Sequence, residues 1–418
     1  MKKKDLPVGW EWKKLRDISV INSGYGFPIE FQEESHGDIP FFKVMDISKN
    51  FLKNEKYLDK SDFYISYENF KKINGSFFKK GTIVFAKIGA ALLLNRRAIL
   101  NCDSVVDNNI IGVTANLDYL DNLFLFYFLS AVDMANYCRT TSVPSLRKSD
   151  IENICIPLPP LPVQRRIVEI LDRADALRRY RTQADAETQK LLQSVFYEMF
   201  GDPVRNEKGW ERRKLGDICV RIFGGGTPPT SNTEYFNGNI PWVSPKDMKE
   251  DFILDSIDHI SEKALSESST QIAPKNSLLM VIRSGILKRK LPVTINLREV
   301  AINQDMKAFV FKEGVVSPFY MLFFFKLYQN VLLQRVRSVT ADNLEFNQIK
   351  ELKIPIPPWT LQQYYISIVN DLEKISKKQE RSRKEIEILF DGLLEMSFRG
   401  DLEGIYKYSA FPMKGENQ

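Results

Sequence analysis

The chain has 418 residues, 44% hydrophobic and 27% charged, the balance of a soluble globular protein of two to four domains. Its four cysteines, Cys102, Cys138, Cys155 and Cys219, form no CxxC pair, and only two histidines accompany them, which argues against a Cys/His zinc site and a histidine-based triad. A net charge of +6 and a pI near 8.8 are compatible with nucleic acid but equally with a solvated surface, and unpaired cysteines fit a reducing cytoplasm.

From the N-terminus, Met1-Lys2-Lys3-Lys4 is basic, but no apolar stretch follows it, so no secretory signal is expected. Gly9-Trp10-Glu11-Trp12-Lys13-Lys14-Leu15-Arg16-Asp17-Ile18 comes next, and seven of its ten positions recur, 200 residues on, in Gly209-Trp210-Glu211-Arg212-Arg213-Lys214-Leu215-Gly216-Asp217-Ile218. Gly37-Asp38-Ile39-Pro40 with Asp46 returns as Gly238-Asn239-Ile240-Pro241 with Asp247, and Ile156-Pro157-Leu158-Pro159-Pro160 with Gln164 returns as Ile354-Pro355-Ile356-Pro357-Pro358 with Gln362. Three landmarks in one order at offsets of 198 to 201 residues mean one module written twice.

Each module opens with about 155 residues of short strand-like runs, such as 82–86 and 277–282, separated by turn signals. Gly224-Gly225-Gly226-Thr227-Pro228-Pro229 is a loop, and the apolar stretches 120–132 and 319–333 predict one buried helix per module. The runs 123–129 and 321–325 are too short to span a bilayer. The proline-rich segments that follow predict a strand end that launches a helix.

Past each hinge the apolar period becomes seven. The first stripe is Ile167, Ile170, Ala174, Leu177, Arg181, Ala184, Thr188, Leu191, Val195 and Glu198. The second is Leu372, Ile375, Gln379, Ser382, Ile386, Leu389, Leu393 and Met396. Spacings that alternate three and four predict coiled-coil helices, each roughly 55 Å long. Two such helices would bury their seams against each other; the alternative is that each packs on its own domain. A short connector, Gly201-Asp202-Pro203, implies an antiparallel pair. The expected fold is α+β: two similar mixed α/β domains separated by a long antiparallel two-helix coiled coil, with pseudo-two-fold symmetry. The expected boundaries are 1–156 and 201–354 for the domains, 157–200 and 355–402 for the helices, and 403–418 for a tail.

Two readers at a fixed separation suit a linear, repetitive partner, and double-stranded DNA repeats about every 34–36 Å. Candidate DNA contacts are Lys87, Asn95, Arg96 and Arg97, then Arg139, Ser142 and Arg147, then Thr227 and Lys246. Arg283, Lys288, Arg289, Lys290, Arg335 and Arg337 complete the set, with Asn108, Asn109, Asn303 and Gln304 nearby. Arginine can pair with guanine and asparagine with adenine, whereas lysine mostly holds phosphate. Solvated loop charge is the plainer account of any one of these residues. Candidate helix–helix or partner contacts are Ile170, Leu177, Leu191, Val195, Leu372, Ile375, Leu389 and Leu393.

No P-loop motif is present, and no Asn/Asp-Pro-Pro-aromatic motif of the kind that holds a target adenine. The nearest strings, Leu158-Pro159-Pro160-Leu161 and Ile356-Pro357-Pro358-Trp359, lack the amide or carboxylate acceptor. No catalytic or metal residue is assigned.

These motifs together resemble the specificity subunit of a Type I restriction-modification enzyme. The resemblance rests on the Gly-Trp-Glu openings, on Gly225-Gly226-Thr227-Pro228 followed by Asn237-Gly238-Asn239-Ile240-Pro241-Trp242, and on the Ile-Pro-x-Pro-Pro…Gln hinges. The helix ends Phe196-Tyr197-Glu198-Met199-Phe200-Gly201-Asp202-Pro203 and Met396-Ser397-Phe398-Arg399-Gly400-Asp401-Leu402 add to it. It implies two target-recognition domains that read a split DNA site, and helices that set the spacer and dock two DNA adenine methyltransferase subunits. Motor-nuclease subunits would join these, and S-adenosylmethionine, ATP and magnesium would belong to the partners rather than to this cytoplasmic chain. Ser23-Gly24-Tyr25-Gly26-Phe27-Pro28 stands where the second half has its Gly-Thr-Pro loop, which suggests unlike half-sites.

Overall fold

A computed structural model describes residues 6–26, 28, 30, 37–72, 77–138, 143–337 and 343–402, with the backbone alone for Gln189 and residues 335–337. Arg139, Ser142 and the tail 403–418 lie outside the described residues, as do the side chains of Arg335 and Arg337. The chain divides into two compact units, one formed by residues up to Gln183 together with the chain from Glu380 on, the other by Ala184–Gln379.

The repeat in the sequence is a repeat in topology. In the first unit a five-stranded sheet has the order Ser19–Ser23, Ile110–Ala115, Ile83–Ala86, Ala98–Leu100, Tyr57–Leu58. In the second unit the order is Cys219–Gly224, Met306–Phe311, Leu278–Val281, Val293–Asn296, Phe252–Ile253. In both sheets every pairing is antiparallel except the last, which is parallel. A smaller sheet accompanies each, three-stranded around Ile39–Phe42 and four-stranded around Ile240–Val243. The central strands of the large sheets, Ile83–Ala86 and Leu278–Val281, are buried at every residue, which explains their unbroken apolar character.

A two-stranded ribbon ties the two ends of each module together. Glu11–Lys14 runs antiparallel to Cys155–Leu158, and Arg212–Lys214 antiparallel to Lys353–Pro355. The Gly-Trp-Glu openings and the proline hinges are therefore neighbours in space. Prolines 157 and 355 are tolerated because a two-stranded ribbon leaves one edge of each strand unpaired.

The glutamine of each hinge has a defined task. Gln164 is fully buried; its Oε1 accepts from the Asp121 N–H at 2.8 Å, and its Nε2 donates to the carbonyls of Tyr119 and Pro159, both at 2.8 Å. Gln362, equally buried, accepts from the Ser317 N–H at 2.7 Å and donates to Val315 at 3.1 Å and Pro357 at 2.8 Å. Each glutamine joins the hinge to the start of the module's buried helix, Asn122–Ala131 or Pro318–Arg337. The Asp121 carboxylate caps the first of these helices through the N–H groups of Leu123 and Phe124. Pro318 opens the second, where a missing N–H costs nothing.

The long helices span Leu161–Phe200 and Trp359–Arg399, 40 and 41 residues or about 60 Å each. Each contributes its first half to one unit and its second half to the other. In the first unit, Ile167, Val168, Leu171 and Ala174 share a core with Phe390, Leu394 and Phe398 and with sheet residues Ile83, Phe85 and Ile111. In the second, Phe196 and Phe200 share a core with Tyr365 and Val369. There Thr188 meets Gln379 and, two turns on, Phe196 meets Tyr365, so the helices are antiparallel.

The expected seam differs in one respect. Leu177, Leu191, Ile375 and Leu389, placed there by their heptad positions, are 46–50% exposed. Ile167, Ala174 and Leu372 are buried, and Ile170, Val195 and Leu393 partly so. The cause is the globular module lying against each helix half. It draws inward a face centred on Val168 and Leu171, or on Phe390, Leu394 and Phe398, rotated from the strict heptad line. Packing on a partner helix and packing on a module are thus not exclusive.

Candidate nucleic-acid interface

In both units the same end of the large sheet gathers polar side chains from four separate segments. In the first, the central strand ends at Lys87, whose N–H donates to Asn109 and whose carbonyl accepts from Leu146, at 2.8 and 2.9 Å. The strand Ser19–Ser23 ends beside this point at Gly24, and the helix Lys148–Glu152 begins after the exposed Arg147. In the second unit, the Ile282 carbonyl accepts from Leu344 at 2.8 Å, which places Arg283, Asn303–Asp305, Gly225–Thr227 and Asn343 together. The bridge between Ile88 and Ser145 matches the one between Arg283 and Asn343.

Gly24 and Gly225 occupy equivalent positions, although the flanking sequences differ. A Cβ on Gly24 would collide with the Asp107 carbonyl, and one on Gly225 with the Ile302 carbonyl. Both loops therefore need glycine for close backbone approach.

The electrostatics of these ends are basic but not unopposed. Burial holds the Lys87 ammonium below the usual lysine pKa, and Asp107 acts in the opposite direction. Arg283 lies 3.9 Å from Asp305. The Thr227 hydroxyl donates to Gln304. Lys288, Arg289 and Lys290 are exposed on the turn that begins at Gly285. Lys246 is exposed and pairs with Asp258.

Two sequence candidates have a structural task instead. Arg97 is only 4% exposed; it donates to the Arg96 and Val132 carbonyls and to Asn95 Oδ1, and it lies 4.6 Å from the centroid of Phe85. Burial pushes its guanidinium down to about 9. Asn95 takes a positive φ of 52° and bonds to Arg97, Val132 and Met134 through its side chain. These bonds occupy the groups that would read a base. Arg96 packs over Phe51 at 5.4 Å.

Sequence reasoning passed over Lys307, Lys350 and Phe346: Phe346 and Lys350 lie one helical turn apart, but only the fold brings Lys307 to them. Lys307 Nζ lies 4.7 Å and Lys350 Nζ 4.5 Å from the centroid of Phe346. Among the described residues no cluster of His, Cys, Asp and Glu could hold a metal ion, and no helix is long and apolar enough to cross a membrane.

Comparison with known proteins gives this geometry a family. The model of the Type I restriction modification DNA specificity domain matches twice, at residues 7–187 and 207–388. The chain is 30% identical over 245 residues to the EcoR124I/EcoR124II specificity subunit of Escherichia coli, a match that covers 57% of this chain and 60% of that one. It is 24% identical to the MjaIX specificity subunit of Methanocaldococcus jannaschii over 405 residues, 90% of each chain. A solved Type I restriction-modification S subunit from M. genitalium shares the fold, with a TM-score of 0.54, 14% identity, and coverage of 95% of this chain and 98% of that one. Two matches to one domain model, a topology repeated strand for strand, and polar loops at the same end of each sheet lead to one assignment: the chain belongs to the family of DNA specificity subunits of Type I restriction-modification enzymes, whose catalytic activities reside on partner subunits.

Proposed function

We propose that the chain reads a split DNA site, one half with each module, and assembles with two adenine methyltransferase subunits and with motor-nuclease subunits in the cytoplasm. The observation that carries this reading is the contrast between an identical sheet order and different loop residues at matching places: Lys87, Ile88 and Asp107–Asn109 in one module, Ile282, Arg283 and Asn303–Asp305 in the other. One scaffold with two sets of readers suits two unlike half-sites. Residues 1–156 and 201–354 would be the readers, and the two helices would set the number of base pairs between half-sites.

The helices also carry the proposed docking surface. In the first unit Leu177, Ile388 and Leu389 are 49%, 73% and 50% exposed, and in the second Leu191 and Ile375 are 47% and 46% exposed. Apolar side chains left open on a helix face favour burial by another protein. S-adenosylmethionine, ATP and magnesium would then be held by those partners.

Mapping methylated adenines across the host genome tests the proposal. The expected result is a bipartite motif with a fixed gap that disappears when the gene is deleted. Deletion that leaves every methylated motif in place would contradict it. Inserting one heptad into both helices should lengthen the gap and preserve both halves; an unchanged gap would remove the helices from the measuring role.

A further inference from the structure

The second unit holds three neighbouring cations, Arg283, Lys307 and Lys350, and among the described residues only Arg283 has a carboxylate nearby. Lys307 and Lys350, 43 positions apart in sequence, converge on the Phe346 ring. Lys307 is half-buried on the strand beside Gly224, where a Cβ would fall 2.6 Å from its Nζ. Glycine there leaves the ammonium its space. Burial holds the Lys307 pKa below the ordinary lysine value, and the charges of Lys350 and Arg283 push it the same way. Among the described residues neither lysine has a carboxylate within salt-bridge distance, and Arg283 has only Asp305, at 3.9 Å. Half-buried like charges repel, so the cluster is costly when empty and favours an anion.

We infer that Arg283, Lys307 and Lys350 form a seat for a DNA backbone phosphate in the second module, and that the first module has no counterpart. The location selects the ligand. The seat adjoins the loops carrying Thr227, Asn303 and Gln304, and phosphate contacts flank base contacts where a protein sits on a duplex. The strand and helix registers put Ile88, Ile111 and Glu152 of the first module at the positions of Arg283, Lys307 and Lys350. Lys148 stands in place of Phe346 and pairs with Glu152 at 3.8 Å. The second module is thus built to grip the backbone at a point where the first is apolar or charge-neutral. This inference rests on the DNA-reading function proposed above.

The test uses the chain purified from its host with the subunits that accompany it, and a labelled short duplex of random sequence. A Lys307→Gln, Lys350→Gln double variant should bind more weakly at every salt concentration. The slope of log affinity against log salt should shrink by about 1, one phosphate contact being lost, so that the affinity lost between about 50 and 200 mM salt falls roughly three- to fourfold less. Lys307→Arg with Lys350→Arg should restore the slope, and the methylated sequence in the genome should not change. In the unmodified protein, the duplex should shield both lysines from acetylation, whereas inorganic phosphate at the same phosphate concentration should not. An unchanged slope, a changed methylated sequence, or equal shielding by inorganic phosphate would each overturn the seat. Failure of the unmodified complex to bind any duplex would instead overturn the DNA-reading function, and the seat with it.

Discussion

The two modules agree in their cores and disagree in their charges, and the position before the edge strand of each large sheet shows how. The first module has Lys56 there, 11% exposed, donating to Asp172 and to the Tyr127 hydroxyl at 2.6 Å and lying 3.1 Å from Asp175. Asp172 and Asp175 belong to the long helix, so a buried cation fastens the module to it. Burial, reinforced by the bond to Asp172, keeps the Tyr127 hydroxyl protonated far above ordinary pH. The second module has Asp251, which pairs at 2.6 Å with Lys326 of its own buried helix, and the place of Tyr127 is taken by Phe323, without a hydroxyl. The same backbone position carries opposite charge and a different attachment. Duplication preserved the sheet order and the hinge bonds, while polar contacts diverged freely once each was satisfied locally.

The largest effect should come from the shared core. Phe398 packs on Phe124 with centroids 5.2 Å apart, and Phe200 packs on Tyr320, the equivalent position, at 4.9 Å. Phe398→Ala and Phe200→Ala should each cost roughly 3–5 kcal/mol in denaturant unfolding. A large loss from one and none from the other would break the equivalence. Next, Gln164→Ala and Gln362→Ala should each cost about 2–3 kcal/mol, because three buried backbone groups lose their partner. Their costs should match more closely than those of any other pair. The smallest and most asymmetric effect is at the diverged position. Lys56→Met should cost about 2 kcal/mol, since it leaves Asp172 with only the Tyr127 hydroxyl and Asp175 with only the longer contacts to Arg178 and Arg179. Asp251→Asn removes a pair whose side chains are 35% and 40% exposed, and should cost under about 1 kcal/mol. Equal costs would mean the two attachments are equivalent after all.

The duplication and the long helices were legible in the sequence because the repeated landmarks are the residues that close each module. Ile and Pro of the ribbons, the Trp just before each ribbon, and the buried glutamines have one geometry available and so keep their spacing. The buried helices were legible because six consecutive residues, 124–129, are all buried. Which heptad residues face inward was not legible: the seven-residue period locates a stripe but cannot reveal a sheet pressing on its flank, and so Leu177 and Leu389 were placed too deep. The site was legible only in part. Lys87, Arg283 and the asparagines near them, grouped in the sequence only by residue type, lie at strand ends. Arg97 and Asn95 share the composition of a surface cluster, yet a buried hydrogen-bond network holds them, and sequence offers no sign of that. Lys307 has no like charge within four residues and Lys350 has only Lys353, and their convergence on Phe346 depends on strand register.

Under the proposed function the two modules read their half-sites independently on a common scaffold. Replacing residues 1–156 with the corresponding module of another specificity subunit, then mapping methylated adenines, tests it most directly. The expected motif has one new half, with the other half and the gap kept. A motif altered in both halves, or in neither, would contradict it.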